Sequence, residues 1–157
     1  MYKSDKYTNK TAPYGAVFGI LNKVNNNQVI YPEESYDIVG AAYAIFNELG
    51  YGFKEVVYQK AFAQELKKRN YNFENEKEIE VKYDNVILGK YRLDFIVDEK
   101  IVVELKVRHA LGYAHIKQVM GYLKAGNYKL AILIYFTEEG VKFRRVLNSY
   151  KDVGVGI

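Results

Sequence analysis

The stretch Asp94-Phe95-Ile96-Val97-Asp98-Glu99-Lys100-Ile101-Val102-Val103-Glu104-Leu105-Lys106 decides how the rest of the chain is read. Two apolar runs flank a short charged turn, Asp98-Glu99-Lys100, and this pattern predicts a β-hairpin. Strands so apolar are built for burial, and buried strands rarely carry carboxylates or a lysine without a reason. Yet Asp94 lies in the first strand, and Glu104 and Lys106 lie in the second. A hairpin closed around Glu99 sets Asp94 opposite Glu104 on one face of the sheet. Lys106, two residues on, shares that face. A slip of one residue in the pairing would put Asp94 on the other face.

Two neighbouring carboxylates repel each other and, unless protonated, need a cation. A hard divalent ion such as Mg²⁺ takes oxygen ligands of this kind and keeps several waters. Such an ion polarises a phosphoryl oxygen and makes a bound water nucleophilic. Lys106 would hold or activate that water, or stabilise charge on the phosphate. The set suits phosphodiester hydrolysis. It equally suits a plain ion pair of Lys106 with Asp94 or Glu104 on a solvated sheet face, and spacing alone leaves both readings open.

Working outward, Ile87 to Val97 and Ile101 to Val107 are the two hairpin strands, and Ile79 to Tyr83 is a strand before them, turned at Asp84-Asn85. Upstream, Pro32-Glu33-Glu34-Ser35 opens a helix, because proline and early acids favour an N-terminus. Ile38, Val39, Ala42, Ile45, Phe46 and Leu49 form its apolar stripe, and Gly50-Tyr51-Gly52 ends it. A second helix is expected from about Phe53 to Arg69, with Phe53, Val56, Val57, Ala61 and Leu66 inward. Lys67-Lys68-Arg69 suit its C-terminal dipole. Downstream, a helix from about Tyr113 to Ala125 closes at Gly126-Asn127. Leu130 to Phe136 is nearly all apolar, which implies a strand covered on both faces. Val141 to Leu147 follows the Glu138-Glu139-Gly140 turn. The order α-α-β-β-β-α-β-β predicts an α/β or α+β domain with a mixed sheet.

The chain has 157 residues, 49% of them hydrophobic, with no cysteine and a net charge of +4. That is enough for one domain with a packed core. Disulfides and thiolate metal sites are excluded, and a reducing, cytoplasmic setting is the expected one. No apolar run reaches the roughly 18 residues that cross a bilayer, so no membrane partner is expected. Lys3 and Lys6 are not followed by the apolar stretch of a signal peptide. The positive charge suits a polyanionic partner. The 16 tyrosines can stack on bases, although half-buried packing is the reading we prefer. Residues 1-32 read as an N-terminal extension, in which Ala16 to Val24 is a short strand or helix and Asn25-Asn26-Asn27 a turn. Residues 33-150 read as the domain and 151-157 as a tail.

Asp94 followed by Glu104-Leu105-Lys106 resembles the Asp…(Asp/Glu)-x-Lys signature of the PD-(D/E)XK nuclease superfamily. Leu93 stands where a proline often precedes the aspartate. Gly52-Phe53-Lys54-Glu55-Val56-Val57-Tyr58 is similar to the motif of the GxxExxY protein family. Gly40-Ala41-Ala42, Glu48-Leu49-Gly50, Glu65-Leu66, Leu88-Gly89-Lys90-Tyr91, Gln118, Tyr122-Leu123-Lys124 and Leu133-Ile134-Tyr135-Phe136 follow in the order of that family's pattern. The resemblance runs from about Glu34 to Asn148. It implies a restriction-endonuclease-like core, with a central mixed β-sheet flanked by helices on both sides.

The resemblance further implies that Asp94 and Glu104 bind Mg²⁺, with Mn²⁺ as a substitute, and that Lys106 is catalytic. An acid from a preceding helix often completes such a site, and Glu55 in the naming motif is the first choice. A surface glutamate near a helix N-terminus is the plain alternative. Gln118 matches a glutamine that helps set the site, or is simply a helix-face hydrogen-bonding residue. Tyr58 packs beneath the site or bonds a carboxylate, and we expect packing. Many family members carry a Glu-x-His pair in the first helix, where this chain has Ala44-Ile45-Phe46. Glu48, one turn on, is a substitute or ordinary helix surface, and surface is expected.

His115 shares a helix face with Gln118, yet a lone histidine is more often structural. His109 reads as a loop residue, and the two histidines make no zinc motif. Arg144 and Arg145 suit phosphate contacts or the charged guard of an edge strand. The function expected is a Mg²⁺-dependent nuclease or nuclease-like protein hydrolysing phosphodiester bonds in DNA, in preference to RNA. The alternatives are a non-cleaving nucleic-acid-binding module and an interaction protein with a degenerate site. Compact superfamily members often pair as homodimers to cut two strands, though no stretch of this sequence reports a dimer surface.

Overall fold

Tyr31, with φ +51, turns the chain into Pro32, whose fixed φ and missing N–H suit the first helical position. The computed structural model describes residues 29–110 and 112–148. The tail 151-157, most of the 1-32 extension and the readings over Ala16 to Val24 and Asn25 to Asn27 lie outside the described residues. The elements are α1 (Pro32–Leu49), α2 (Glu55–Lys68), β1 (Phe73–Tyr83), β2 (Val86–Val97), β3 (Ile101–Val107), α3 (Tyr113–Gly126), β4 (Leu130–Thr137) and β5 (Gly140–Leu147). The order α-α-β-β-β-α-β-β and the α/β class are those expected from the sequence. No helix among the described residues is long and apolar enough to cross a membrane.

The sheet runs β1-β2-β3-β4-β5. Only β3 and β4 are parallel, joined by the α3 crossover, and the other neighbours are antiparallel. Both early hairpins turn on residues with positive φ: Asp84 and Asn85, then Asp98 and Glu99. Two successive left-handed residues match the twist of the flanking strands. The Lys100 N–H closes the second turn on the Val97 carbonyl at 3.1 Å.

One sheet face packs on α1 and α2 through Ile38, Ile45, Phe62, Phe95, Val103, Leu105, Ile132 and Phe136. The other packs on α3 through Leu93, Ile96, Val102, Val119, Leu123, Leu133 and Tyr135. β4 is buried along its whole length, which accounts for its unbroken apolar run. Each fully buried Leu, Ile or Phe contributes roughly 1.5–3 kcal/mol as an upper figure. A few such residues therefore outweigh the cost of one buried carboxyl.

Two sequence expectations are corrected. β1 begins at Phe73 rather than Ile79, because pairing with β2 holds Glu74 and Asn75 extended although their side chains carry no apolar alternation. Helix α2 begins at Glu55, so Phe53 precedes it, and Val56 points roughly 200° around the axis from Tyr58. Phe53 and Val56 are exposed, and the buried stripe is Tyr58, Phe62 and Leu66.

Candidate active site

The hairpin of β2 and β3 keeps its ladder for three pairs only: Val97 with Ile101, Ile96 with Val102, and Phe95 with Val103. Asp94 and Glu104 come next in this register, and there side chains replace the backbone ladder. The Leu105 N–H donates to Asp94 Oδ2 at 2.8 Å. The Asp94 N–H reaches Glu104 Oε2 at 3.4 Å. The carboxylates thus occupy a split between two strands, and the backbone groups freed by the split find partners in them.

A reversal of β1 and β2 opens the split. Side chains along a regular strand alternate, yet Leu93 and Ile96 both face α3, with Phe95 on the other side. Phe73 and Ile79 of β1 likewise lie on opposite faces. Glu76 stands across from Asp94 with φ +54, and this pair is missing from the ladder. The left-handed residue inverts the ribbon at the point where Asp94 leaves the sheet.

Helix α2 supplies the next contacts. Its Gln59 amide donates to Asp94 Oδ1 at 3.2 Å. Glu55, at the helix start, accepts the Val107 N–H at 3.3 Å, and its charge is felt at both Asp94 and Lys106. Lys106 Nζ donates to Glu104 Oε1 at 2.9 Å. The geometry therefore brings together Asp94, Glu104, Lys106 and Glu55. Gln59 went unread in the sequence, although it stands one helical turn after Glu55 and so shares its face.

The electrostatics follow from this crowding. Glu104 is 3% exposed. Burial first, then the Asp94 charge, push its carboxyl from 4.5 up to about 7, against the pull of Lys106. Burial also raises Asp94, partly offset by the Leu105 N–H and Lys106. Burial alone would lower Lys106, but Glu104, Glu55 and Asp94 outweigh it, so the ammonium is held above its usual 10.5. Two crowded carboxylates share one cation, and their oxygens suit a hard divalent ion. Among the described residues, no three His, Cys, Asp or Glu side chains already converge as a metal cage.

Helix α3 forms the far wall. His115 Nδ1 and the Tyr135 hydroxyl lie 2.9 Å apart. Burial, Lys106 and Arg108 all lower His115, with Glu55 opposing, which leaves it neutral near pH 7. His115 is thus placed beside the cleft. Gln118 is exposed, and the group that its side chain influences is the Tyr122 hydroxyl one helical turn on. Burial, Glu104 and Asp94 together raise Tyr122. Tyr122 and Tyr135 carry no charge signal in the sequence, and only their placement against the acids singles them out.

The remaining candidates lie elsewhere. Glu48 is exposed helix surface near Lys68. His109 is an exposed loop residue 3.6 Å from Glu138. Arg144 and Arg145 lie on the edge strand β5, where Arg145 bonds the Ile30 carbonyl. Tyr58 packs, as expected. Its ring stacks on Phe136 at 4.3 Å, and its hydroxyl donates to the Gly50 carbonyl at 2.6 Å. Gly50 itself has φ +67 at the end of α1, a conformation that costs a side chain strain. Tyr58→Phe should therefore cost about 1 kcal/mol in a urea melt and leave divalent-ion affinity unchanged. A loss of ion affinity would instead tie the hydroxyl to the carboxylates.

A model of the PD-(D/E)XK nuclease superfamily matches residues 32–146, from the first residue of α1 into β5. No curated protein matches the chain. Among solved structures, the crystal structure of SSO0001 is similar to this chain at 24% identity with a TM-score of 0.49, covering 74% of this chain and 57% of its own. The chain thus spans little more than half the length of that structure.

Proposed function

The chain belongs to the PD-(D/E)XK nuclease superfamily, and we propose that it is a Mg²⁺-dependent nuclease that hydrolyses phosphodiester bonds in DNA. Within the superfamily, Gly52, Glu55 and Tyr58 associate it with the GxxExxY proteins. The single observation that carries the reading is the placement of Asp94 and Glu104 in the split between β2 and β3, with Lys106 bonded to Glu104. Asp94 and Glu104 would hold the divalent ion, with Glu55 as a third acid. The ion, once bound, supplies Lewis-acid polarisation of the phosphate and a nucleophilic water. Gln59 and the Leu105 N–H keep the Asp94 carboxylate oriented. Lys106, an ammonium at neutral pH, acts through its charge on the phosphate rather than as the proton acceptor. Gln118 would act on the site through Tyr122.

The test is incubation of purified protein with plasmid DNA in Mg²⁺, in Mn²⁺ and in EDTA. Cleavage that needs the divalent ion is expected. A second reading, a non-cleaving nucleic-acid-binding module, draws on one observation: among the described residues no third acid closes on Asp94 and Glu104 to form a ready cage. Salt-dependent DNA binding without cleavage in either ion would establish it. Calorimetric titration with Mg²⁺ should show binding to the wild type and none to Glu104→Gln. Equal binding by both would place the ion elsewhere.

A further inference from the structure

Two loops meet over the carboxyl ends of β3 and β4. Tyr51, between α1 and α2, has its ring centre 6.3 Å from that of His109, between β3 and α3. Two further rings lie next to these loops in the chain. Phe53 is 46% exposed and Tyr113 is 71% exposed. Both stand close to the carboxylate cleft in the chain: Phe53 two residues before Glu55, and Tyr113 two residues before His115. Each ring has a fixed neighbour. Phe53 lies edge-on to Tyr58 at 6.3 Å, and Tyr58 in turn stacks on Phe136. Tyr113 carries Lys117 Nζ 5.0 Å from its centroid.

Lys54, Arg108 and Lys117 on the same loops and helix start are exposed. The segments that lead into Glu55 and His115 therefore expose both aromatic rings and cations. Cations fit a phosphate backbone of any form. Exposed aromatic faces add something only where base faces are open, as on a strand without a pairing partner. In an intact duplex the base faces are already stacked, and these rings would stay in water. Lysine and arginine side chains beside such rings can also track a phosphate backbone.

Resting on the nuclease reading for what happens once the strand reaches Asp94, we propose that the site takes an unpaired DNA strand, its bases stacked on Phe53 and Tyr113 and its phosphates led in by Lys54, Arg108 and Lys117. Binding is measured in an Asp94→Asn background, so that nothing is cut, by fluorescence anisotropy with labelled oligothymidine and with a blunt duplex. The single strand should bind at least about tenfold more tightly than the duplex. Phe53→Ala and Tyr113→Ala should each weaken single-strand binding by about 5- to 100-fold and leave duplex binding within about twofold. Both rings are exposed, and thermal melts together with Phe53→Leu and Tyr113→Leu separate lost stacking from lost fold. Equal affinity for duplex and single strand, or unchanged single-strand affinity in the alanine proteins, would overturn the proposal. Ring-dependent binding to a protein whose wild type cuts nothing would sustain it while removing the nuclease reading. Cleavage of duplex that is indifferent to both rings would do the reverse.

Discussion

Asp94→Asn should lower Mg²⁺-dependent cleavage by at least about 1,000-fold, since loss of an ion that supplies several kcal/mol of transition-state stabilisation has that effect. Asparagine is the informative replacement. Asp94 accepts the Leu105 N–H on one oxygen and the Gln59 amide on the other. An asparagine carbonyl keeps the Leu105 bond and removes the charge. Alanine would leave the Leu105 N–H without its partner in the strand split, at about 1–3 kcal/mol. Asp94→Ala therefore mixes lost chemistry with lost stability, whereas Asp94→Asn should melt no lower than the wild type. Cleavage assays and urea melts on the same preparations separate the two effects. A folded Asp94→Asn protein that cleaves at the wild-type rate would sink the assignment of this carboxylate.

The second large effect is on stability and its pH dependence. Glu104 is held at about 7 in the fold against 4.5 for the free carboxyl, by burial and then by Asp94. The native state therefore binds the Glu104 proton more tightly than the unfolded chain does. The resulting stabilisation is fully present below pH 4.5 and is lost as pH rises through about 7. The full change corresponds to roughly 3 kcal/mol. Asp94 is raised by burial as well and adds in the same direction. Lys106 is also raised, but its window lies above 10.5 and leaves this range untouched. Metal-free protein should thus lose stability between about pH 5 and pH 8, and Mg²⁺ should restore it at the upper end by binding the ionised pair. Glu104→Gln keeps a neutral group of the same shape. It should flatten the profile, raise metal-free stability at pH 8 and abolish the rescue by Mg²⁺. Denaturant melts across this range with and without Mg²⁺ provide the check, and a Glu104→Gln profile as steep as the wild type would refute the cause given.

Much of this protein was legible in its sequence because the informative features are local. Two apolar runs closed around the charged turn at Asp98-Glu99-Lys100 set the hairpin register, and the observed pairs Phe95 with Val103 and Ile96 with Val102 keep it. The apolar stripe of α1, the all-apolar β4 and the order of elements are likewise periodic signals over a few residues. The superfamily signature added the α/β class and the two acids with the lysine. Periodicity misread α2, because Phe53 lies before the helix and the face that packs is Tyr58, Phe62 and Leu66, with Val56 left exposed.

The site itself took its form from contacts between distant residues. Strand parity placed Asp94 and Glu104 side by side, but nothing local says that the ladder stops there. That follows from the left-handed Glu76 across the ribbon and from the carboxylates satisfying the freed N–H groups. Gln59 and Glu55 reach the cleft because α2 packs on β3, and His115 meets Tyr135 because the α3 crossover returns to β4. The sequence by itself determined the elements, their order and which acids share a strand pair. Only the tertiary structure decided where the sheet opens, who lines the opening and how far burial shifts each charge, because burial and long-range pairing depend on residues that no period along the chain connects.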